Sequence, residues 1–314
     1  MTHGTIGLLR QKADYSWSVI KSSRWYRYLQ TVPKKVCLYF FLIDGAFIFL
    51  LPIMYMLLLS FFTVEDLIDP SIRWIPVHLF WENYHTAFKL LSYPSSLMTT
   101  LILTMIGVCG QMIFCGLAGY ALARIDFPGR KWIMGLVLLV LVIPNQAMVL
   151  PNYIFFYNLG LQDTIWPLIL PEILGNGLYG ALFIFVFRQV FTGIPKDLED
   201  AAAIDGAGFF RTFRLVVAPL AQNAYITVGL FSFVLHWNEY IRPQYYLRQY
   251  DQSTRTLSLA LSYLFTVNPV SSSTAATEAV QGAGIILVMA PVVIIYILVQ
   301  KFFVQGVQLT GIKG

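Results

Sequence analysis

The sequence is poor in charge and in most of the groups that carry chemistry. Only 12% of its 314 residues are Asp, Glu, Lys or Arg. A large soluble protein with buried helices would need polar helix faces that are missing here, and its helices would be shorter. The three cysteines (Cys37, Cys109 and Cys115) all fall in apolar runs and match no metal spacing, so they read as small hydrophobes. The four histidines are scattered, with no H-E-x-x-H or paired-ligand pattern, so no metal site is expected. No G-x-x-x-x-G-K-[ST] occurs, which excludes a phosphate-cradling P-loop. The run GNGLYG, Gly175 to Gly180, has the letters of a dinucleotide-binding turn. It sits in an apolar span with no strand before it, so it is set aside. The opening residues, MTHGTIGLLRQKAD, hold no apolar core ahead of a cleavage site, so no signal peptide is expected. Internal repeats and long low-complexity tracts are also missing.

What the chain has is hydrophobicity: 57% hydrophobic residues, 16% aromatic residues and a mean hydropathy of +0.67. A helix needs ~20 apolar residues to cross a bilayer. About six stretches reach that length, near 37–62, 97–123, 132–157, 166–187, 217–240 and 282–304. The expected fold is therefore an all-α integral membrane protein with about six transmembrane helices. An even number of spans puts both termini on one side. On that side fall sixteen of the 21 Lys and Arg residues, against five in 63–96 and 241–281. Positive charge marks the cytoplasmic side, so both termini are expected in the cytoplasm. The net charge of +5 is then a topology signal, and no nucleic-acid partner is expected.

Residues 1–36 form a basic, aromatic segment in which Trp17, Trp25, Tyr26 and Tyr28 interleave with Lys21, Arg24 and Arg27. That mix favours the anionic cytoplasmic interface and membrane lipid. Residues 37–314 form the membrane domain. In the first span Asp44 would cost about 2.5–3.5 kcal/mol in hydrocarbon, so it should face another helix or water. In the second, Cys115, Gly119 and Ala123 make a ridge of small residues at intervals of four, suited to close helix packing. Spans three and four carry Pro144, Pro151, Pro167 and Pro171 beside Asn145, Gln146 and Asn152. Irregular polar backbone at membrane depth either lines a cavity or kinks for packing.

One stretch is out of character. EDAAAIDGAG, residues 199–208, sets three carboxylates among Ala and Gly between two apolar runs. Pro195 suits a first helical turn, and Asp197, Glu199 and Asp200 favour a helix N-terminus. Gly206 then turns the chain toward Phe209, Phe210 and Phe213. The reading is a short helix, a bend and a return helix, with small side chains left open to close contact with a partner.

This stretch resembles the EAA loop of permease subunits of ATP-driven (ABC) importers, a pattern of E-A-A, three residues, Gly, nine residues and I-x-L-P. The sequence offers Asp200-Ala201-Ala202, Gly206 and Val216 to Pro219, with Asp for Glu, Val for Ile and Ala for Leu. Further runs are similar to the carbohydrate-importing, maltose-permease (MalG-like) type of the binding-protein-dependent transport family. They are YALARIDFPGRK (120–131), LPNYIFFYNLGLQDTIWPLILP (150–171), WNEYIRP (237–243) and the terminal GVQLTGIKG. The likeness runs in register from about residue 37 to the last residue.

The resemblance implies a role for each part. The loop between the fourth and fifth helices would dock its coupling helix on a cytoplasmic ABC ATPase dimer through Asp200, Ala201, Ala202, Asp205 and Gly206. The tail, with Gly306, Gly311 and Gly314, would also reach the ATPase. ATP and Mg would sit on that partner, with no cofactor on this non-catalytic chain. A second homologous permease subunit and an extracytoplasmic solute-binding protein would complete the system in the bacterial inner membrane. A carbohydrate substrate could stack on Tyr153, Tyr157 or Trp237 and bond to Asn145, Gln146 or Asn238. Two other classes compete. An ion-gradient-driven secondary transporter would use Asp44 or Glu172 as ion sites, but leaves the acidic loop unexplained. A membrane-embedded enzyme finds no nucleophile, metal set or acid–base pair.

Overall fold

The computed structural model describes residues 24–69, 71, 74–177, 179–247, 254–266 and 274–310. Side chains are described within these ranges except at 24–34, 274–276 and 301–310. Every regular element among the described residues is helical. The chain divides into two compact units, one up to Leu58 and one from Leu59 onward.

The first unit holds α1 (Arg24–Leu59), whose apolar part, Lys35–Leu59, is 25 residues long. At 1.5 Å per residue that is about 37 Å, enough to cross the ~30 Å hydrocarbon layer with some tilt. Most of its described large apolar side chains between Val36 and Leu57 are exposed, as expected of a helix solvated by lipid. Asp44 is exposed too. Trp17 and the other residues before Arg24 lie outside the described residues.

The second unit opens with α2 (Val64–Ile68), capped by Thr63 and Asp66 in a reciprocal capping box, and α3 (Glu82–Leu90). The second span is continuous but changes pitch. It comprises α4 (Tyr93–Gly110), a π turn (Gln111–Cys115) and α5 (Gly116–Arg124). Next come α6 (Arg130–Val142), a 3-10 turn (Asn145–Met148) and α7 (Val149–Asn158), then α8 (Trp166–Ile173) and α9 (Gly180–Gly193). The loop elements are α10 (Asp197–Ile204), α11 (Phe209–Thr212), a second π turn (Phe213–Val217) and α12 (Ala218–Leu220). The chain closes with α13 (Gln222–Trp237), α14 (Ile241–Tyr246), α15 (Leu257–Thr266) and α16 (Thr274–Thr310).

The spans differ from straight rods in three places. Among the described residues three helices are long and apolar enough to cross a membrane: Lys35–Leu59, Tyr93–Arg124 and Thr277–Gln300. The third expected span is bent by 99° between α6 and α7. Pro144 explains the bend, because it lacks an N–H and pushes Ile143 into extended backbone (ψ 121°). The fifth is bent by 80° at Ala221, just after Pro219. The fourth, expected over 166–187, is divided between α8, which ends at Ile173, and α9, which begins at Gly180, and Gly175 between them takes a φ of +71°. The 14 residues of α9 reach only about 21 Å.

Among the described residues three buried apolar clusters hold the second unit. One packs α5, α9, the second π turn and α13 around Tyr120, Phe187, Phe191 and Val217. The small ridge of the second span belongs here: a Cβ on Gly119 would come within 2.6 Å of Phe187 Cβ, so the two backbones are close. A second cluster joins α3, α13, α15 and α16 around Leu91, Trp237 and Leu257, and the third joins α7, α8 and α14 through Phe156, Leu168 and Tyr246.

Candidate functional site

Two regions stand out. The first is the loop built on α10. Its first turn carries Asp197, Glu199 and Asp200, which suits the positive end of the helix dipole. Pro195 was expected in that turn but precedes it, because Lys196 supplies the first helical carbonyl, to Glu199 and Asp200 N–H. The far end is a Schellman turn. Gly206, at φ +79°, donates to Ala203 O, and Ala207 donates to Ala202 O. Only glycine takes that φ without strain.

Glu199 faces back toward the membrane helices. Tyr120 Oη donates to Glu199 Oε2 at 2.9 Å, and Arg124 Nε lies 2.6 Å from Glu199 Oε1. Arg124 Nη2 also donates to Ile194 O, at the entry to the loop. Both charged side chains are only 13% exposed, and the Phe209 and Phe213 rings pack on Tyr120. This clasp ties α10 to the end of α5. The opposite side is open: Asp200, Ala201, Asp205 and Gly206 are exposed and Ala202 is half-buried. Beside them Ile204 is 87% exposed and Phe210 72%. Sequence reasoning missed the clasp. Three neighbouring carboxylates were legible, but which one meets α5 depends on how the two helices are rotated against each other.

The second region is a cavity of about 320 Å³ between α7, α8, α13, α14 and the two breaks in the third and fourth spans. Five carboxamides (Asn145, Gln146, Asn152, Asn176 and Asn238) line it. Each offers both donors and an acceptor. The remaining wall is largely apolar, with Glu239 and Arg242 on one side. Its existence follows from the chain breaks. Pro144 throws Asn145 and Gln146 onto a 3-10 turn, and the interrupted fourth span turns Asn176 toward the same space.

Behind Arg242 lies a buried polar cluster. Glu172 is 1% exposed and receives Gln111 Nε2 at 2.7 Å on Oε2 and Arg242 Nη1 at 3.0 Å on Oε1. His236 Nε2 stands 3.2 Å from Glu172 Oε2, off the hydrogen-bond direction, while its Nδ1 is 2.7 Å from Ser232 O. Ser232 Oγ donates to Gln111 Oε1 at 2.8 Å. The π turn begins at Gln111, and such turns mark helix positions re-aimed for a specific contact. Two glycines make room. A Cβ on Gly177 would overlap the Glu172 carboxylate, and one on Gly107 would overlap the His236 ring.

The other sequence candidates fall elsewhere. Trp237 is 1% exposed, stacks on Phe233 and donates from Nε1 to Val288 O, so it is a core residue and not a cavity wall. Its aromatic, partly polar character could not separate those roles in sequence. Tyr153 packs on Tyr245 and Tyr246 behind the cavity, with Tyr157 beside it. Gly306 lies in the last turns of α16, where side chains are not described, and Gly311 and Gly314 lie outside the described residues. Among the described residues no group of His, Cys, Asp and Glu could hold a metal ion.

Apolar helices, a carboxamide-bearing cavity between broken spans, and an exposed loop helix pinned to a span define a membrane-embedded transport subunit. The chain belongs to the family described as the binding-protein-dependent transport system inner membrane component, whose pattern it matches over residues 115–309. It is 29% identical over 286 residues to the polygalacturonan/rhamnogalacturonan transport system permease protein YtcP of Bacillus subtilis, covering 88% of this chain and 97% of that one. It is 30% identical over 272 residues to the arabinooligosaccharides transport system permease protein AraQ of Halalkalibacterium halodurans, covering 86% and 93%. A solved bacterial ABC transporter, involved in import of the acidic polysaccharide alginate, superposes with a TM-score of 0.73 at 26% identity, covering 90% of this chain and 98% of that one. Members of this family are transport permease subunits, which are not enzymes.

Proposed function

We propose that this chain forms half of the path by which an ATP-driven importer moves an oligosaccharide across the bacterial inner membrane. The observation that carries the reading is α10: a helix of small and acidic residues, held by Glu199 on one side and open on the other. Asp200, Ala201, Ala202, Asp205 and Gly206 dock in a cleft of a cytoplasmic ATPase dimer, which binds the ATP and Mg. The tail with Gly306, Gly311 and Gly314 meets the same ATPases, and both termini face the cytoplasm. A second homologous permease completes the path, and an extracytoplasmic binding protein delivers the sugar. Asn145, Gln146 and Asn238 contact that sugar from the cavity. Relatives named for arabinooligosaccharides and polygalacturonan support a carbohydrate cargo.

The ion-driven alternative loses ground on Glu172. That carboxylate is engaged by Gln111 and Arg242, with His236 beside it, and is not presented to a passing ion. Purifying the complex and measuring ATP hydrolysis against a saccharide panel, with the cognate binding protein, tests the proposal. Stimulation by at least one oligosaccharide is expected. No co-purifying ATPase and no stimulation would defeat it.

A further inference from the structure

Given the reading of the cavity as part of a saccharide path, the geometry assigns it to uncharged saccharides and against uronate-bearing ones, and this selectivity is our proposal. Among the described residues lining the cavity, Arg242 is the one cation and Glu239 the one carboxylate. Arg242 is already shared between two carboxylates. Its Nη1 lies 3.0 Å from Glu172 Oε1 and its Nε 3.5 Å from Glu239 Oε2. Glu239 is fixed in turn, because Oε1 accepts the backbone N–H of Arg242 at 3.1 Å in the first turn of α14. A further titratable group beside Glu172 is His236, with Nε2 3.2 Å from Oε2. Counting Glu172, Glu239, Arg242 and His236, the cluster is net negative with a neutral imidazole and net zero with a protonated one. Neither state leaves surplus positive charge for an incoming carboxylate.

A sugar carboxylate entering here would approach two fixed carboxylates in a partly desolvated wall, where like charges repel strongly. Binding it would require pulling Arg242 away from Glu172, a carboxylate that is 1% exposed. Hydroxyl groups meet no such obstacle. The five lining carboxamides can donate to and accept from them without changing any charge. This sets the chain apart from the solved alginate importer and from the polygalacturonan relative, whose names specify acidic polymers. The specificity-determining residues are then Glu239 and Glu172, which hold Arg242 out of service for anions.

The test places a thiol in the cavity. Asn238→Cys is made in a chain with Cys37, Cys109 and Cys115 replaced by alanine, and is assembled with its partner subunits in nanodiscs without binding protein. Cationic and anionic methanethiosulfonate reagents of matched size are compared, each normalised to its rate with a free thiol. The cationic reagent should react at least tenfold faster, and adding Glu239→Gln should bring the ratio down toward unity. Maltotriose in excess should slow modification at least threefold, and trigalacturonate at the same concentration should not. A faster anionic reaction, or protection by trigalacturonate equal to that by maltotriose, overturns the charge rule and leaves the saccharide path standing. No protection by either sugar overturns the path reading, and the proposal falls with it.

Discussion

At the scale of single residues, the buried cluster around Glu172 is sensitive to the loss of any one member. Glu172 neutralises Arg242 and accepts from Gln111 at a site closed to solvent. Removing one partner of such a set leaves the others charged or unpaired, at about 3–5 kcal/mol. Glu172→Ala should therefore lower the thermal unfolding midpoint of the detergent-solubilised subunit far more than Glu172→Gln, which keeps the shape and an acceptor. Equal midpoints for the two would show that the lost charge, not the lost shape and acceptor, is what the cluster needs. Gly177→Ala should destabilise by about 1–3 kcal/mol, because its methyl group meets the Glu172 carboxylate. Sequence marked Glu172 as an intramembrane carboxylate but could not name its partners. Gln111 is 61 residues away and Arg242 is 70, and no periodicity links positions on two spans and a short loop helix.

At the scale of elements, α10 joins a clasp to a docking face, and the two sides predict different failures. Asp200→Lys reverses a charge on the outward side, and Ala202→Trp adds bulk at the half-buried position beside it. They should leave insertion and pairing with the second permease intact while abolishing ATPase association or substrate-stimulated hydrolysis. Reversing a charge at a partly desolvated contact costs about 2–5 kcal/mol, and a factor of ten in affinity needs only about 1.4 kcal/mol. Normal pull-down and normal stimulated hydrolysis in both variants would reduce the face to a plain loop. Glu199→Ala acts on the inward side. It strips Tyr120 of a charged acceptor, worth about 1.5–3 kcal/mol, and Arg124 of its ion-pair partner. The ATPase should still bind this variant, but hydrolysis should no longer rise with substrate, because motion of α10 is no longer passed to α5. Loss of binding instead would show that the clasp only shapes the docking face. The helix, turn and return helix were legible from Ala propensity, acidic N-terminal residues and Gly206. The bends in spans three and five were not, since a proline in a hydrophobic run signals a break without fixing its angle.

At the scale of the whole molecule, composition alone settled the membrane class. The cavity stayed hidden because it is assembled from segments of several spans, and hydropathy assigns span membership without neighbours. Asn145 and Gln146 were visible as polar residues beside a proline. Asn176 reads as a polar residue inside the fourth span, and Arg242 as an ordinary loop residue, until α8 and α14 meet. Orientation rests on a global quantity, the sixteen-to-five partition of Lys and Arg. Positively charged loops resist translocation, so an imbalance of that size should fix one topology. It predicts that the loop between α5 and α6 is cytoplasmic and the segment around α3 is outside. Lys131 and Lys89 are both exposed and suit single-cysteine reporters, each in a background with the three native cysteines replaced. In spheroplasts, a membrane-impermeant maleimide should label Lys89→Cys at once and Lys131→Cys only after permeabilisation. The opposite order would invert the topology. It would place α10 outside the cell, where no ATPase could reach it, and the coupling reading would fail with it.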